Sequence, residues 1–205
     1  MSTPPLLALE GVTKIYWNGF LKRTPAFRLD IDRAFDGPEI VGVMGPNGAG
    51  KTTLFEMIAG SNVPSRGRVV VAGQDMQQVR YRERDRLAIH YHQSYQVRHF
   101  SRTRPGFLLD AARSSYPLVH LFDEPQFNRQ DGYIGFMLDF FRRLRAEGRL
   151  VFVCLHPTAS FQLDILHEIC ERFLFVSGGA TREIGDFAAL TADAGVRQYL
   201  GALAP

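Results

Sequence analysis

The sequence has little of what secreted or membrane-spanning chains need. Among its 205 residues are only two cysteines, Cys154 and Cys170, each in an apolar stretch, so we expect two small buried side chains and no disulfide. The first residues, MSTPPLLALEG, lack a basic start and a long apolar run, and we expect no secretory signal. No window approaches the roughly 20 apolar residues that span a bilayer. A role at a membrane would therefore require a partner.

A large excess of positive or negative charge is also lacking, because the formal net charge is only +3. This weak excess does not by itself predict a nucleic-acid partner. Acidic residues alternate with the densest group of arginines, which favours a solvated face, and we expect no nucleic acid. That group comprises Arg80, Arg82, Arg84 and Arg86, with Glu83 and Asp85 between them.

The length and the 45% hydrophobic content predict one globular domain over residues 1–205. The central apolar segments are nearly continuous, which is typical of strands covered on both faces of a parallel α/β sheet. The first segments alternate more and have no helix between them, which predicts a small N-terminal antiparallel β-layer. The predicted strands are Leu6–Val12, Phe27–Ile31, Ile40–Met44, Arg68–Val71, Leu87–Tyr91, Leu118–Phe122, Leu150–Leu155 and Phe173–Val176. The predicted helices are Thr52–Ala59, Ile134–Ala146 and Phe161–Cys170.

A glycine-rich segment carries the strongest chemical signal. It fits the pattern G-x-x-x-x-G-K-S/T and lies between a strand pattern, EIVGVM, and a helix pattern, TLFEMIAG. Glycines let successive N–H groups face phosphate oxygens, the lysine reaches the outer phosphates, and the threonine hydroxyl can bind Mg²⁺. The predicted nucleotide-binding residues here are Gly45, Pro46, Asn47, Gly48, Ala49, Gly50, Lys51, Thr52 and Thr53.

From the glycine loop outward, the chain resembles the nucleotide-binding domain of the ATP-binding-cassette (ABC) ATPases. The segment GPNGAGKTTL with its following IAG helix carries the resemblance, which extends from about Leu6 to Ile184. It implies a phosphate-loop NTPase fold with a mainly parallel central sheet. It also implies ATP and Mg²⁺ as cofactors and ATP hydrolysis as the activity.

Further motifs in the family's order imply residue roles. Tyr16 in VTKIY would stack on adenine, with the less favoured alternative that Tyr16 or Trp17 is only a strand-end packing residue. Asp123 in LVHLFDEP would bind Mg²⁺, and Glu124 would polarise the attacking water as general base. His156 in LVFVCLHP would contact the terminal phosphate, although Pro157 replaces the acidic residue that usually follows.

The histidine-rich segment LAIHYHQ has two interpretations. The resemblance implies that Gln93 touches Mg²⁺ and senses a transmembrane partner, with Gln96 as a nearby alternative. His90, His92 and His99 lack acidic or cysteine companions at ligand spacing. Packed or solvated histidines are favoured over a metal site.

Three features depart from the family. At the place of its signature loop stands Phe100-Ser101-Arg102-Thr103, with Arg102 and Thr103 where glycines belong. Only six residues separate Gln93 from Phe100, so the family's helical subdomain is largely missing. Ser177-Gly178-Gly179 is interpreted as a hairpin turn, and Asp131 lies one position later than the family's dimer-loop aspartate.

These features predict the ATP-binding subunit of an ABC transporter, weakly active alone because its signature is degenerate. Expected partners are a transmembrane permease and a second ABC ATPase subunit, and the expected location is the cytoplasm, peripheral to a membrane when a permease is present. The alternative is a soluble ABC-like ATPase that acts as a switch or assembly factor. A small-molecule kinase is a third possibility.

Overall fold

The computed structural model describes residues 4–19, 23–91, 117–125, 127 and 133–205. Several sequence-based predictions lie outside these residues. They concern Gln93, the signature segment at residues 100–103, the missing helical subdomain and Asp131.

In the described residues, ten strands form one mixed sheet in the order β5-β4-β1-β2-β10-β9-β3-β8-β7-β6. The strands are β1 (Leu7–Asn18), β2 (Thr24–Phe35), β3 (Ile40–Met44), β4 (Arg66–Val71), β5 (Gln74–Asp75), β6 (Ala88–Tyr91), β7 (Val119–Asp123), β8 (Leu150–Cys154), β9 (Arg172–Ser177) and β10 (Ala180–Ile184).

The centre of the sheet is parallel. Strand β3 pairs in parallel with β8 on one side and β9 on the other. Strand β8 pairs in parallel with β7, and β7 pairs in parallel with β6. Every residue of β3, β7 and β8 is buried. Their continuous apolar runs therefore place them between two covered faces, as the sequence predicts.

The antiparallel layer is formed by β1, β2, β4 and β5. Strand β1 continues to Asn18, because its pairing with β2 extends to Tyr16↔Phe27 and Asn18↔Thr24. The predicted end at Val12 is therefore too early. The alternation of apolar and polar residues is interrupted before Val12, because the pairing register with β2 shifts between Leu9 and Val12.

A hairpin joins this layer to the parallel half of the sheet. Gly178 and Gly179 connect β9 to β10 with positive φ at both positions, as in a type I′ turn, which confirms the predicted hairpin. The Gly179 carbonyl accepts a hydrogen bond of 2.9 Å from the Asp30 amide on β2. A Cβ at Gly179 would lie 1.8 Å from the Arg28 carbonyl oxygen, so only glycine permits this approach.

The helices cover the two faces unequally. Helix α1 packs on one face together with the antiparallel layer, and the four other helices in the described part of the chain pack on the opposite face. The helices are α1 (Lys51–Ile58), α2 (Tyr133–Ala146), α3 (Ser160–Ile169), α4 (Phe187–Ala192) and α5 (Ala194–Leu200), with short 3₁₀ turns at Tyr81–Arg86 and Gly201–Leu203. Within the described ranges, no helix is long and apolar enough to cross a membrane.

One arginine of the predicted solvated face is not free in solvent. Arg84 is partly buried, and its guanidinium donates to the carbonyls of Val79 (3.0 Å) and Gly60 and lies over the Tyr81 ring. The prediction is wrong at this position, because Arg84 ties the 3₁₀ turn to the end of α1.

Candidate nucleotide-binding site

The glycine loop connects the buried end of β3 to the start of α1. Gly45 has φ 147°, and a Cβ there would lie 1.9 Å from the carbonyl oxygen of Val176 on β9. Gly50, with φ 105°, caps α1 in a left-handed conformation. These glycines let the chain leave the sheet edge and enter a helix whose N-terminus attracts anions.

Lys51 is held against the loop that precedes it. Its ammonium donates to the carbonyls of Gly45 (2.6 Å) and Pro46 (2.9 Å), and its side chain is buried. Both acceptors are neutral, so they orient the ammonium without cancelling its charge. The loop therefore presents a fixed positive charge at the helix N-terminus.

Thr52 and Asp123 form a pair of oxygen donors. The Thr52 hydroxyl donates to Asp123 Oδ2 (2.9 Å), which joins the first turn of α1 to the end of β7. Burial raises the pKa of Asp123, but hydrogen bonds from His90 and Thr52 outweigh it and hold the pKa below its usual range. An ionised carboxylate beside a hydroxyl suits Mg²⁺, which takes few protein ligands when phosphates supply the others. Among the described residues, no three His, Cys, Asp or Glu side chains could hold a metal by themselves.

His90 is a site neighbour that the sequence argument did not place here. Its Nε2 lies 3.3 Å from Asp123 Oδ2, and its ring meets the Phe55 ring edge-on at 5.6 Å. It is a packed histidine, as predicted, yet it contacts the predicted metal ligand. Its place in β6, beside β7, is the signal that could have identified it. His92 and His99 lie outside the described residues.

Glu124 follows Asp123 in an uncommon backbone conformation. Its φ is 50°, and its amide donates to the Cys154 carbonyl (3.0 Å). A non-glycine residue in the left-handed region costs of order 1–3 kcal/mol and tends to occur at functional sites. The turn places the Glu124 side chain at the cleft, where it is partly exposed.

His156 lies two residues beyond β8 and contacts the C-terminal helix. Its Nδ1 is 2.7 Å from the hydroxyl oxygen of Tyr199 on α5. The sequence argument did not single out Tyr199, because α5 was not predicted. The aspartate before α5, which caps it, could have indicated the helix.

Two aromatic rings stand beside the glycine loop. Tyr16 is 39% exposed, and its hydroxyl accepts a hydrogen bond from Asn62 Nδ2 (2.8 Å). The Phe27 ring lies 6.2 Å from the Tyr16 ring and covers Gly50. Phe27 was also missed, although it is the cross-strand partner of Tyr16. Together they offer an aromatic surface wide enough for a base.

One open cleft of about 330 Å³ collects most of the predicted residues. The residues that line the cleft are Tyr16, Phe27, Asn47, Gly48, Gly50, Lys51, Thr52, Thr53, Asp123 and Glu124. The other predicted loop residues, Gly45, Pro46 and the buried Ala49, do not line it, and neither does His156.

Comparison with known proteins relates part of the chain to one family. The family model described as ABC transporter matches residues 30–129, just under half of the 205 residues, so the chain is similar to that family over this region. It is 44% identical over 80 residues to the methionine import ATP-binding protein MetN of Geobacillus kaustophilus, which is 38% of this chain and 22% of that protein. It is 39% identical over 72 residues to the lipoprotein-releasing system ATP-binding protein LolD of Ruegeria pomeroyi, covering 35% of this chain and 31% of that one. This chain thus spans less than a third of the length of these relatives.

Solved structures share the fold at low sequence identity. A structure described as an ATP-binding subunit of an ABC transporter aligns with 98% of this chain and all of its own, with a TM-score of 0.64 and 18% identity. The ATP-binding cassette MJ0796, a dimer in a post-hydrolysis state with ADP and Pi, aligns with 87% of this chain and 98% of its own, with a TM-score of 0.63 and 16% identity. The expected α/β fold, with its mainly parallel sheet and antiparallel layer, is confirmed.

Proposed function

We propose that this chain is an ABC-type ATPase that binds Mg·ATP in the cleft and hydrolyses it, as a single ATP-binding domain over residues 1–205. One observation carries the proposal. A fixed ammonium, an ionised carboxylate paired with a hydroxyl, and a second carboxylate surround one cleft at the positive end of a helix. This combination suits a triphosphate and a water molecule better than a neutral ligand.

The loop residues bind and orient the phosphates. Backbone amides from Asn47 to Thr53 and the Lys51 ammonium neutralise phosphate charge, while Tyr16 and Phe27 hold the base. Thr52 and Asp123 would hold Mg²⁺, which supplies charge neutralisation on the phosphate oxygens when it is bound. Gln93 is proposed as a further contact on the family resemblance alone.

Glu124 and His156 are proposed to act on the water and the terminal phosphate. A carboxylate at the cleft can accept a proton from the attacking water, and its left-handed backbone fixes where the carboxylate stands. The imidazole of His156 can donate to a phosphate oxygen.

The proposed biological role is the ATP-binding subunit of a transporter, working at a membrane through a permease. The names of the matched relatives, which are import and releasing-system ATP-binding proteins, support this role. A second ABC ATPase subunit is the other proposed partner, because this chain carries Arg102 and Thr103 where the signature glycines belong. We expect weak hydrolysis from the isolated chain and stronger hydrolysis with a subunit that has an intact signature.

A soluble ATP-dependent switch is the second candidate. The six residues between Gln93 and Phe100 favour it, because they are too few for the helices that dock on a permease. Purification from detergent extracts separates the two roles. A stoichiometric multi-span membrane protein that copurifies supports transport, whereas a chain recovered without one supports the switch.

Glu124→Gln tests the catalytic assignment. The amide keeps the size of the side chain but cannot accept a proton, so Mg·ATP binding should persist while turnover falls at least a hundredfold. Phosphate release and a binding titration on the same preparation measure both quantities. Hydrolysis at the wild-type rate would show that Glu124 is not the base.

A further inference from the structure

The C-terminal helix brings a tyrosine hydroxyl against the histidine of the proposed site. The Tyr199 oxygen lies 2.7 Å from His156 Nδ1, within the range of a well-formed hydrogen bond. The two residues are 43 positions apart. Their contact therefore depends on how α5 packs against the sheet.

Several contacts fix α5 in this place. Asp193 caps the helix by accepting from the Val196 amide (2.9 Å), and it pairs with Arg182 Nη2 on β10 (2.7 Å). Val196 and Leu200 are buried in the core. The Tyr199 ring lies 5.8 Å from the ring of Phe175 on β9. A capped and tightly packed helix therefore holds the Tyr199 hydroxyl in its position beside His156.

The chemistry of the two groups favours one direction for this hydrogen bond. Burial raises the pKa of Tyr199, so the phenol keeps its proton. A neutral imidazole has one nitrogen acceptor and one N–H donor, and an imidazole nitrogen is a better acceptor than a phenol oxygen. Donation from the Tyr199 hydroxyl to His156 Nδ1 is therefore favoured, and it leaves the imidazole proton on Nε2.

We propose that Tyr199 is a positioning residue that holds His156 in the Nε2-protonated form. The catalytic part of this inference rests on the proposed ATP hydrolysis. In this form, Nε2–H is the donor that remains available to a phosphate oxygen. Without the Tyr199 hydroxyl, the imidazole can adopt either tautomer and can rotate.

Nitrogen NMR of the full chain labelled with ¹⁵N-histidine tests the tautomer without any enzymatic assay. His156→Gln identifies the His156 signals by their loss. We expect an unprotonated Nδ1 and a protonated Nε2 at neutral pH, and averaged nitrogen shifts in Tyr199→Phe. A protonated Nδ1 in the wild-type chain, or unchanged shifts in Tyr199→Phe, would overturn the proposal. If Tyr199→Phe does not fold, the wild-type spectrum alone decides.

Steady-state kinetics test the consequence for hydrolysis. Tyr199→Phe keeps the ring, so we expect the Kd for Mg·ATP to change less than twofold while kcat falls about tenfold, the value of one hydrogen bond. Tyr81→Phe, which removes a hydroxyl from a ring that is 75% exposed, is the matched control and should leave kcat unchanged.

A double-mutant comparison separates positioning from general destabilisation. In the background of His156→Ala, the Tyr199→Phe change should cost nothing further, because its effect passes through the imidazole. Additive losses, or a weakened Kd with normal kcat, would contradict the proposal. If the chain hydrolyses no ATP at all, the proposed function fails, while the tautomer measurement still decides the role of Tyr199.

Discussion

At the scale of single residues, Glu124 combines an uncommon backbone conformation with a proposed catalytic role. A φ of 50° costs free energy, and the residue lines the cleft in which the proposed hydrolysis would take place. The neighbouring Asp123 ends the buried strand β7, so the two carboxylates project from a rigid edge into the cleft.

At a positive φ, glycine should stabilise the chain more than alanine, which is the reverse of the usual order. The free energy of unfolding of Glu124→Gly should therefore be about 1 kcal/mol greater than that of Glu124→Ala, because glycine accepts a positive φ without strain. The matched control is Asp164 in the interior of α3, where alanine should be the better residue by about 1 kcal/mol. Urea unfolding of the four variants measures both differences. Alanine being preferred at both positions would show that Glu124 is not strained.

At the scale of elements, the two parts of the site differ in how well the sequence predicts them. Strand β3, the glycine loop and α1 are predicted within a residue, because glycine spacing and an apolar run act locally. Helices α4 and α5 were not predicted, because they are short and rich in alanine and glycine. Their capping residues, Asp186 and Asp193, were the only local signal.

Contacts between distant segments could not be predicted from spacing. The positions of His90, Phe27 and Tyr199 at the site depend on the order of strands in the sheet and on the docking of α5. Histidine, phenylalanine and tyrosine also pack in many other places in proteins, so their presence in the sequence does not predict these contacts. Most of the residues that the motifs indicate line one cleft, whereas His156 lies outside its lining and the neighbouring residues that contact them were not identified.

The turn between β4 and β5 offers a test at this scale. Ala72 (φ 47°) and Gly73 (φ 78°) connect Val71 to Gln74 with the angles of a type I′ turn. Asparagine tolerates the first position better than alanine, so Ala72→Asn should stabilise the chain by about 0.5 kcal/mol. The same change at exposed Ala34, in the extended strand β2, should not stabilise it. Equal shifts in the urea midpoint at both positions would contradict the turn assignment.

At the scale of the whole molecule, one buried histidine links folding stability to pH. Burial, aided by the positive charge of Arg149, lowers the pKa of His120 to about 3. Its neutral ring pairs with the Tyr91 hydroxyl (3.0 Å) and the Pro117 carbonyl (3.1 Å). Because the unfolded chain binds this proton near pH 6.5, the unfolded state gains protons first as pH falls. Stability is therefore lost between pH 6.5 and 3.

The expected size of this effect is about 3 kcal/mol between pH 6.5 and 4. His120→Phe should be less stable at neutral pH, because the hydrogen bond between Tyr91 and the imidazole is lost, and it should also lose less stability on acidification. His167→Gln, at an exposed position, should keep the wild-type slope. Unfolding free energies at several pH values measure the slopes. Identical slopes in wild type and His120→Phe would contradict the account of His120.

The account as a whole depends on a triphosphate binding to the glycine loop. Calorimetric titration of the full chain with Mg·ATP, beside Lys51→Ala as control, tests this claim most directly. We expect saturable heat from the wild-type chain, and its loss in the variant, because the Lys51 ammonium is the fixed positive charge of the loop. A wild-type chain that releases no heat with Mg·ATP, or a variant that binds equally well, would contradict it.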